Sequence, residues 1–233
     1  MTLWSRIADT LRREIAEGAR PEGSKLPTEG ALAARFGVNR HTVRRALAAL
    51  AEDGLVRSRR GAGTFVAAAT TEYPLGRRVR FRQSMQAAGR VPGKRFLSQE
   101  TRSATVEEAR ALDLQPGAPV HVADGISMAD GQPVALFRST FPAERLPGLA
   151  EALASEGSVT RALAMCGVDD YTRASTRLIA VAATAEEAVH LHLGVGAPLI
   201  LSEAINVDAE GRPVEHGLTR FAGERIALTL DHA

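Results

Sequence analysis

Apolar residues keep a helical rhythm through the first part of this chain and shift toward strand rhythm after it. Leu3, Ile7, Ala8, Leu11 and Ile15 fall on one side of a predicted helix over 3–17, with Arg6, Arg12, Arg13 and Glu17 elsewhere. After a turn over 18–24, Pro27-Thr28-Glu29 opens a second helix: Thr28 can cap it, and Leu32, Ala33 and Phe36 follow at helical spacing. Gly37 ends it in a tight turn. A third helix is predicted from about Asn39 to Asp53, where Val43, Ala46, Leu47 and Leu50 form one apolar stripe. At about 100° per residue, Arg40, His41, Arg44 and Arg45 occupy a separate arc facing away from it. Gly54 closes this helix. Leu55 to Ser58 and Thr64 to Val66 then read as two strands around the turn Arg59-Arg60-Gly61-Ala62-Gly63.

Helix, turn, helix and a basic hairpin make a winged helix-turn-helix, in which one helix face packs and the other enters the major groove. An ordinary amphipathic helix pair with a solvated charged face would leave the arginine-rich wing unexplained. The candidate base readers are Arg40, His41, Thr42 and Arg44, at the amino-terminal half of the third helix, with Arg45 aimed at phosphate. Thr28 and Asn39 flank them. Arg59, Arg60, Gly61, Gly63 and Thr64 put the wing at the minor groove or the backbone. Charge agrees: the net +2 of the 233 residues conceals 12 Arg/Lys against 7 Asp/Glu over 1–66, and 17 against 20 beyond. The basic part is the candidate for double-stranded DNA.

Residues 67–79 contain a stretch with neither period nor bulk, Ala67 to Glu72, and are expected to form a linker to a second domain over 80–233. There short helices, at Arg82 to Ala88 and at Thr105 to Leu112 with its Thr105/Glu108 capping box, alternate with strands. Val120 to Met128 and Val134 to Phe141 flank an Asp130-Gly131 hairpin turn, and Leu199 to Asn206 and Val214 to Phe221 flank a second. Helices are expected at Leu146 to Ala154, at Val159 to Cys166 and after Thr184; further strands at Arg95 to Thr101, Leu178 to Ala182 and Ile226 to Leu230. Helices folded onto one antiparallel sheet give an α+β domain.

Lys25-Leu26-Pro27-Thr28-Glu29, Ala33 to Arg40, Thr42 to Leu47, Asp53-Gly54-Leu55-Val56 and Gly61 to Val66 together resemble the signature of GntR-type bacterial transcription regulators. One departure is Gly30, where many members carry Arg, Asn or Gln within reach of DNA. The second domain resembles the effector domain of the HutC branch, through Ala129 to Ala135, Gly194 to Pro198 and Gly211 to His216. That resemblance implies a chorismate-lyase-like fold. A narrower similarity, through Asn39 to Ala46, Tyr73-Pro74-Leu75, Arg80-Phe81 and Gly89, is to the phosphonate-metabolism repressors of that branch. Many HutC-type members bind a sugar-phosphate-type effector with an Arg-x-Arg pair and a Glu. Here those positions hold Gly125, Ser127 and Phe137, so these residues do not carry over.

A small anion, phosphate or a phosphonate, is therefore the expected effector. Arg77, Arg78, Arg80 and Arg82 crowd a helix start, where free amides favour an anion. Arg138, Arg173, Arg177 and Arg220 sit on expected strands of an acidic domain, and Arg suits bidentate contact with such an anion. With Phe81, Ser127 and His216 these form the candidate effector contacts: Arg80, Phe81, Arg82, Ser127, Arg138, Arg173, Arg177, His216 and Arg220. A HutC-type regulator answering to another metabolite, a sugar phosphate or an organic acid, is the alternative. The histidines show no metal-ligand spacing, and neither a Gly-x-Ser-x-Gly nor a Walker loop is present, so no metal, cofactor or enzyme activity is expected. A single cysteine, Cys166, and the lack of any apolar run of membrane-spanning length or secretory pattern point to the cytoplasm. A palindromic operator implies a homodimer, held mainly by 80–233.

Overall fold

Three amphipathic stretches near the start of the chain form helices because each has an apolar stripe and a defined start. In the computed structural model, which describes residues 2–59, 63–67, 70–78 and 80–230, these are α1 (Leu3–Ala16), α2 (Glu29–Phe36) and α3 (Arg40–Glu52). The Thr28 hydroxyl accepts from the amide of Ala31 and caps α2 at 3.2 Å. Asn39 does the same for α3, its Oδ1 accepting from the Thr42 amide at 2.9 Å. Gly37 sits between them at φ 65°, a left-handed turn without a Cβ penalty. Ile7, Leu11, Leu32, Val43, Leu47 and Leu50 meet in one core. Strands β1 (Val56–Arg59) and β2 (Gly63–Val66) pair antiparallel beside it.

The chain divides into this unit, Met1–Ala69, and a second, Thr70–Ala233. The second is built on a six-stranded antiparallel sheet in the order β4-β5-β6-β9-β8-β7. Its strands are β4 (Pro92–Ser103), β5 (Pro119–Ala129), β6 (Gln132–Pro142), β7 (Thr172–Ala182), β8 (Pro198–Val207) and β9 (Pro213–Ala222). Asp130 and Gly131 both have positive φ, 49° and 74°, in the tight turn joining β5 to β6. The α+β architecture with an antiparallel sheet is as expected.

The helices divide between the two faces of the sheet. On one face, Leu112, which closes α5 (Val106–Ala111), packs on Val120 and Val122, and α8 (Ala185–Leu191) packs on Leu136 and Leu199. Both helices start with a complete capping box, Thr105/Glu108 and Thr184/Glu187. On the other face, α6 (Leu149–Glu156) and α7 (Val159–Met165) cover Ala123 and Phe141. Beside them α4 (Phe81–Ala87) contributes Met85 to a separate cluster around Ala135 and Phe221. Among the described residues no helix is long and apolar enough to cross a membrane.

The expected linker over 67–79 needs correction. Thr71–Pro74 forms strand β3, which runs parallel to β10 (Ile226–Thr229). Thr71 and Tyr73 are buried and Glu72 is exposed, so the alternation is real but spans only four residues. Tyr73 packs with Ile226 and Phe221, which anchors this segment in the second unit. Elsewhere the differences are of extent: β4 and β7 reach well beyond the segments expected for them, because edge strands here carry polar residues on both faces and the sequence shows no apolar alternation.

Candidate DNA-reading face and effector cleft

On α3 the apolar stripe is buried, and Arg40, His41, Arg44 and Arg45 are exposed, as their spacing requires. The arginines divide within that arc. Arg44 leans toward α2, its Nε and Nη2 donating to the two carboxylate oxygens of Glu29 at 3.2 and 2.8 Å. The guanidinium of Arg40 lies over Gly30, where a Cβ would meet its Nη2 at 3.4 Å. Arg45 leans the other way and stacks over the Trp4 ring, 4.8 Å from its centroid.

Thr28 and Asn39 are helix caps in this unit, and the Thr42 hydroxyl also bonds Asn39 at 3.0 Å. Gly63, with φ 110°, is held close to the stem of Lys25; a Cβ there would meet Lys25 Cε at 2.8 Å. Thr64 shares a hydroxyl contact of 3.3 Å with Ser58 across the hairpin. Arg59 faces Gly63 in the strand register. Arg60 and Gly61 lie outside the described residues.

In the second unit, a cleft of about 150 Å³ opens on the sheet face covered by α4, α6 and α7. It has room for a ligand much larger than one water. Its floor is made by alternate residues of four strands: Ser127 on β5; Phe137 and Ser139 on β6; Ser202, Ala204 and Asn206 on β8; Glu215, Gly217, Thr219 and Phe221 on β9. Lys94 and Arg173 enter from the edge strands, and Tyr73, Tyr171, Arg80, Phe81 and Arg82 close over the top. Of the expected effector contacts, Arg80, Phe81, Arg82, Ser127 and Arg173 come together here.

Arg138, Arg177, His216 and Arg220 do not line this cleft, which corrects their assignment. They project from the opposite sheet face, one residue out of phase with the floor, where each has a local partner. Arg138 pairs with Asp124 at 2.8 Å and Arg220 with Glu187 at 2.7 Å. Glu203 takes both His216, at 3.1 Å, and Arg177, at 3.8 Å. A strand shows its two faces alternately, so residue type alone cannot assign a side.

Charge in the cleft is unevenly spent. Arg80 stacks on Tyr171, 3.6 Å from its centroid, and pairs with Asp170 at 3.1 Å. Arg173 donates from Nε to the Asn206 carbonyl oxygen at 3.4 Å and has no ion pair among the described residues. Arg82, exposed at the mouth, has none either. The Lys94 ammonium lies 4.3 Å from the centroid of Phe137, and burial pulls its pKa below the usual lysine range, opposed by the charge of Glu215. Burial also pushes the Tyr73 phenol up to about 12.

The sequence reading missed Lys94, Asn206, Ser139 and Glu215. Glu215 is 7% exposed and accepts 2.6 Å hydrogen bonds from Ser139 and from the Asn206 amide. The strand position of Glu215, two before Gly217 and out of phase with His216, was the available signal. Phe137 also accounts for a sequence departure: a Cβ on Gly125 would meet its ring at 2.5 Å. The ring fills the space over Gly125, and Lys94 lies against it.

Two family models match the chain: "Bacterial regulatory proteins, gntR family" over residues 3–66 and "UTRA domain" over residues 87–227. An uncharacterized HTH-type transcriptional regulator of Rhizobium meliloti (strain 1021) is 44% identical over 99% of this chain and 95% of that protein. The HTH-type transcriptional repressor NagR of Bacillus subtilis (strain 168) is 29% identical over 97% of this chain and 93% of its own. Among solved structures, the crystal structure of PhnF from Mycobacterium smegmatis superposes with a TM-score of 0.69 at 28% identity, covering 97% of this chain and 99% of that one.

Proposed function

The chain belongs to the gntR family of bacterial regulatory proteins and carries a UTRA domain, a regulator and not an enzyme, and on that premise we propose a DNA-binding repressor released by phosphate or a phosphonate. Its winged helix reads a palindromic operator through α3, and its second unit holds the effector in the cleft. The observation that carries the effector reading is the set of three cations, Arg82, Lys94 and Arg173, lining one cleft without an ion-pair partner among the described residues. Charge-assisted hydrogen bonds from such groups to a compact dianion are among the stronger polar contacts available. Resemblance to phosphonate-metabolism repressors and likeness to PhnF support the same class. The loss of arginine at 125 and 127 favours a small anion over a sugar phosphate.

Release follows from population shift: the effector has to bind one arrangement of the repressor better than the one that fits the operator half-sites. Calorimetry on the full chain with phosphate, methylphosphonate and a hexosamine phosphate tests the class, together with operator binding in the presence of each. The small dianions are expected to bind, and Arg173→Ala to weaken them roughly tenfold or more. Tight binding of the hexosamine phosphate, with none of the small anions, would overturn the assignment.

A further inference from the structure

The cleft is not a simple anion hole, because its floor holds a carboxylate. Glu215 is 7% exposed, and its two oxygens each accept a single hydrogen bond, from Ser139 and from Asn206. No Arg, Lys or His ion-pairs with it among the described residues. A carboxylate has about four acceptor positions, so two are left over. The Lys94 charge acts on it across the cleft, but neither a hydrogen bond nor an ion pair joins the two among the described residues. An ionised group this deep without a directly paired cation is costly. Asn206, on the neighbouring strand β8, faces Glu215 directly in the strand register and is itself opposite Arg173. Its amide is shared between the two: the oxygen accepts from Arg173 and the nitrogen donates to Glu215. Arg173, Asn206 and Glu215 therefore form a row across three strands. Cation and carboxylate lie at its two ends, about 10 Å apart at the backbone. Gly217 clears the floor beside the carboxylate, where an added Cβ would lie 3.8 Å from Glu215 Oε1.

From this row we infer that the effector is a short zwitterion, with an anionic head held by Arg173, Lys94 and Arg82 and a protonated amine that ion-pairs with Glu215. The inference rests on the small-anion reading of the cleft and narrows it: the ligand brings the directly paired cation that Glu215 lacks. A simple dianion satisfies the cations and leaves the carboxylate unpaired, with added repulsion between the two. An amine a few bonds from the anionic head satisfies both ends of the row. Neutral donors such as a hydroxyl could bond Glu215 but would not neutralise it.

Three probes of nearly equal size separate these cases: propylphosphonate, 2-hydroxyethylphosphonate and 2-aminoethylphosphonate, titrated calorimetrically into the full chain. The aminoethyl compound is expected to bind roughly tenfold to hundredfold more tightly than either of the others, the range of one buried charge-assisted hydrogen bond. Glu215→Gln is expected to bring the three to within a few-fold of one another. Equal affinity for all three in the native protein would overturn the zwitterion while leaving the small-anion reading in place. Equal affinity of the hydroxyethyl and aminoethyl compounds would overturn it too, since a neutral donor then suffices. Binding of none of them would overturn the zwitterion, and failure of phosphate and methylphosphonate to bind as well would overturn the small-anion reading. The comparison within the native protein stands even if the Glu215 variant misfolds.

Discussion

Arg40, Arg44 and Arg45 are one residue type on one helix face, yet their neighbours give them different work. Arg40 lies over Gly30 and Arg44 on Glu29, both toward α2. The Arg44–Glu29 pair is well exposed, so it is worth little and gives way to a base edge at small cost. Arg45 stacks on Trp4, away from both. We expect Arg40→Ala and Arg44→Ala each to cost about 1–3 kcal/mol in operator binding and to relax base preference. Arg45→Ala should weaken all sequences alike and flatten the salt dependence. Binding isotherms on operator and scrambled duplexes at several salt concentrations separate the two outcomes. Operator affinity and preference unchanged in both Arg40→Ala and Arg44→Ala would remove α3 as the reading helix. Gly125 gives a second test at this scale. A methyl there would lie 2.5 Å from the Phe137 ring and 2.6 Å from the Arg95 carbonyl oxygen. Gly125→Ala should therefore destabilise the fold by about 1–3 kcal/mol. Phe137→Leu added to it should recover only part, since the carbonyl stays. Urea unfolding of the three proteins measures both steps.

At the scale of elements, α5 shows how a short helix is fixed. Val106–Ala111 is too short to be stable by itself. Its capping box is reinforced from outside, because Arg102 on β4 makes two 2.7 Å bonds to Glu108 and Thr140 on β6 adds a third at 3.1 Å. Arg102 foremost holds the Glu108 carboxyl down at about 2, against an ordinary value of 4.5. The sign follows: a depressed carboxyl pKa contributes stability that is complete above about pH 4.5 and is lost as pH falls toward 2. The contribution is at most roughly 3 kcal/mol. Glu108→Gln should be destabilised relative to the native chain at pH 7, and the gap should narrow between pH 4.5 and 2. A gap that stays constant over that range would mean that the pair does not titrate with folding. In the sequence, Thr105 and Glu108 announced the capping box, but Arg102 and Thr140 could not be connected to it, since a register across strands brings them there.

For the whole molecule, the proposed mode of action needs two winged helices on one palindrome, because a single module offers a small footprint. Sedimentation of the full chain at micromolar concentration should give a dimer. A monomer both free and on operator DNA would rule the arrangement out. The sequence by itself determined the parts whose signals are local. The stripe Val43-Ala46-Leu47-Leu50, the caps at Thr28 and Asn39 and the Asp130-Gly131 turn each lie within a few residues of what they control. The winged helix and the antiparallel sheet follow from them. Only the tertiary structure decided which arginines share a cleft. Arg173 and Arg177 are four apart on one strand, but the register shift after Arg173 and the alternation of faces send them to opposite sides. His216 and Glu215 are adjacent, and one faces Glu203 while the other faces the cleft. Side-chain direction on a strand has a period of two and flips with a single slip of register. That slip is set by pairing with strands distant in sequence, so the chemistry of the site was written in the sheet and not in the run of residues.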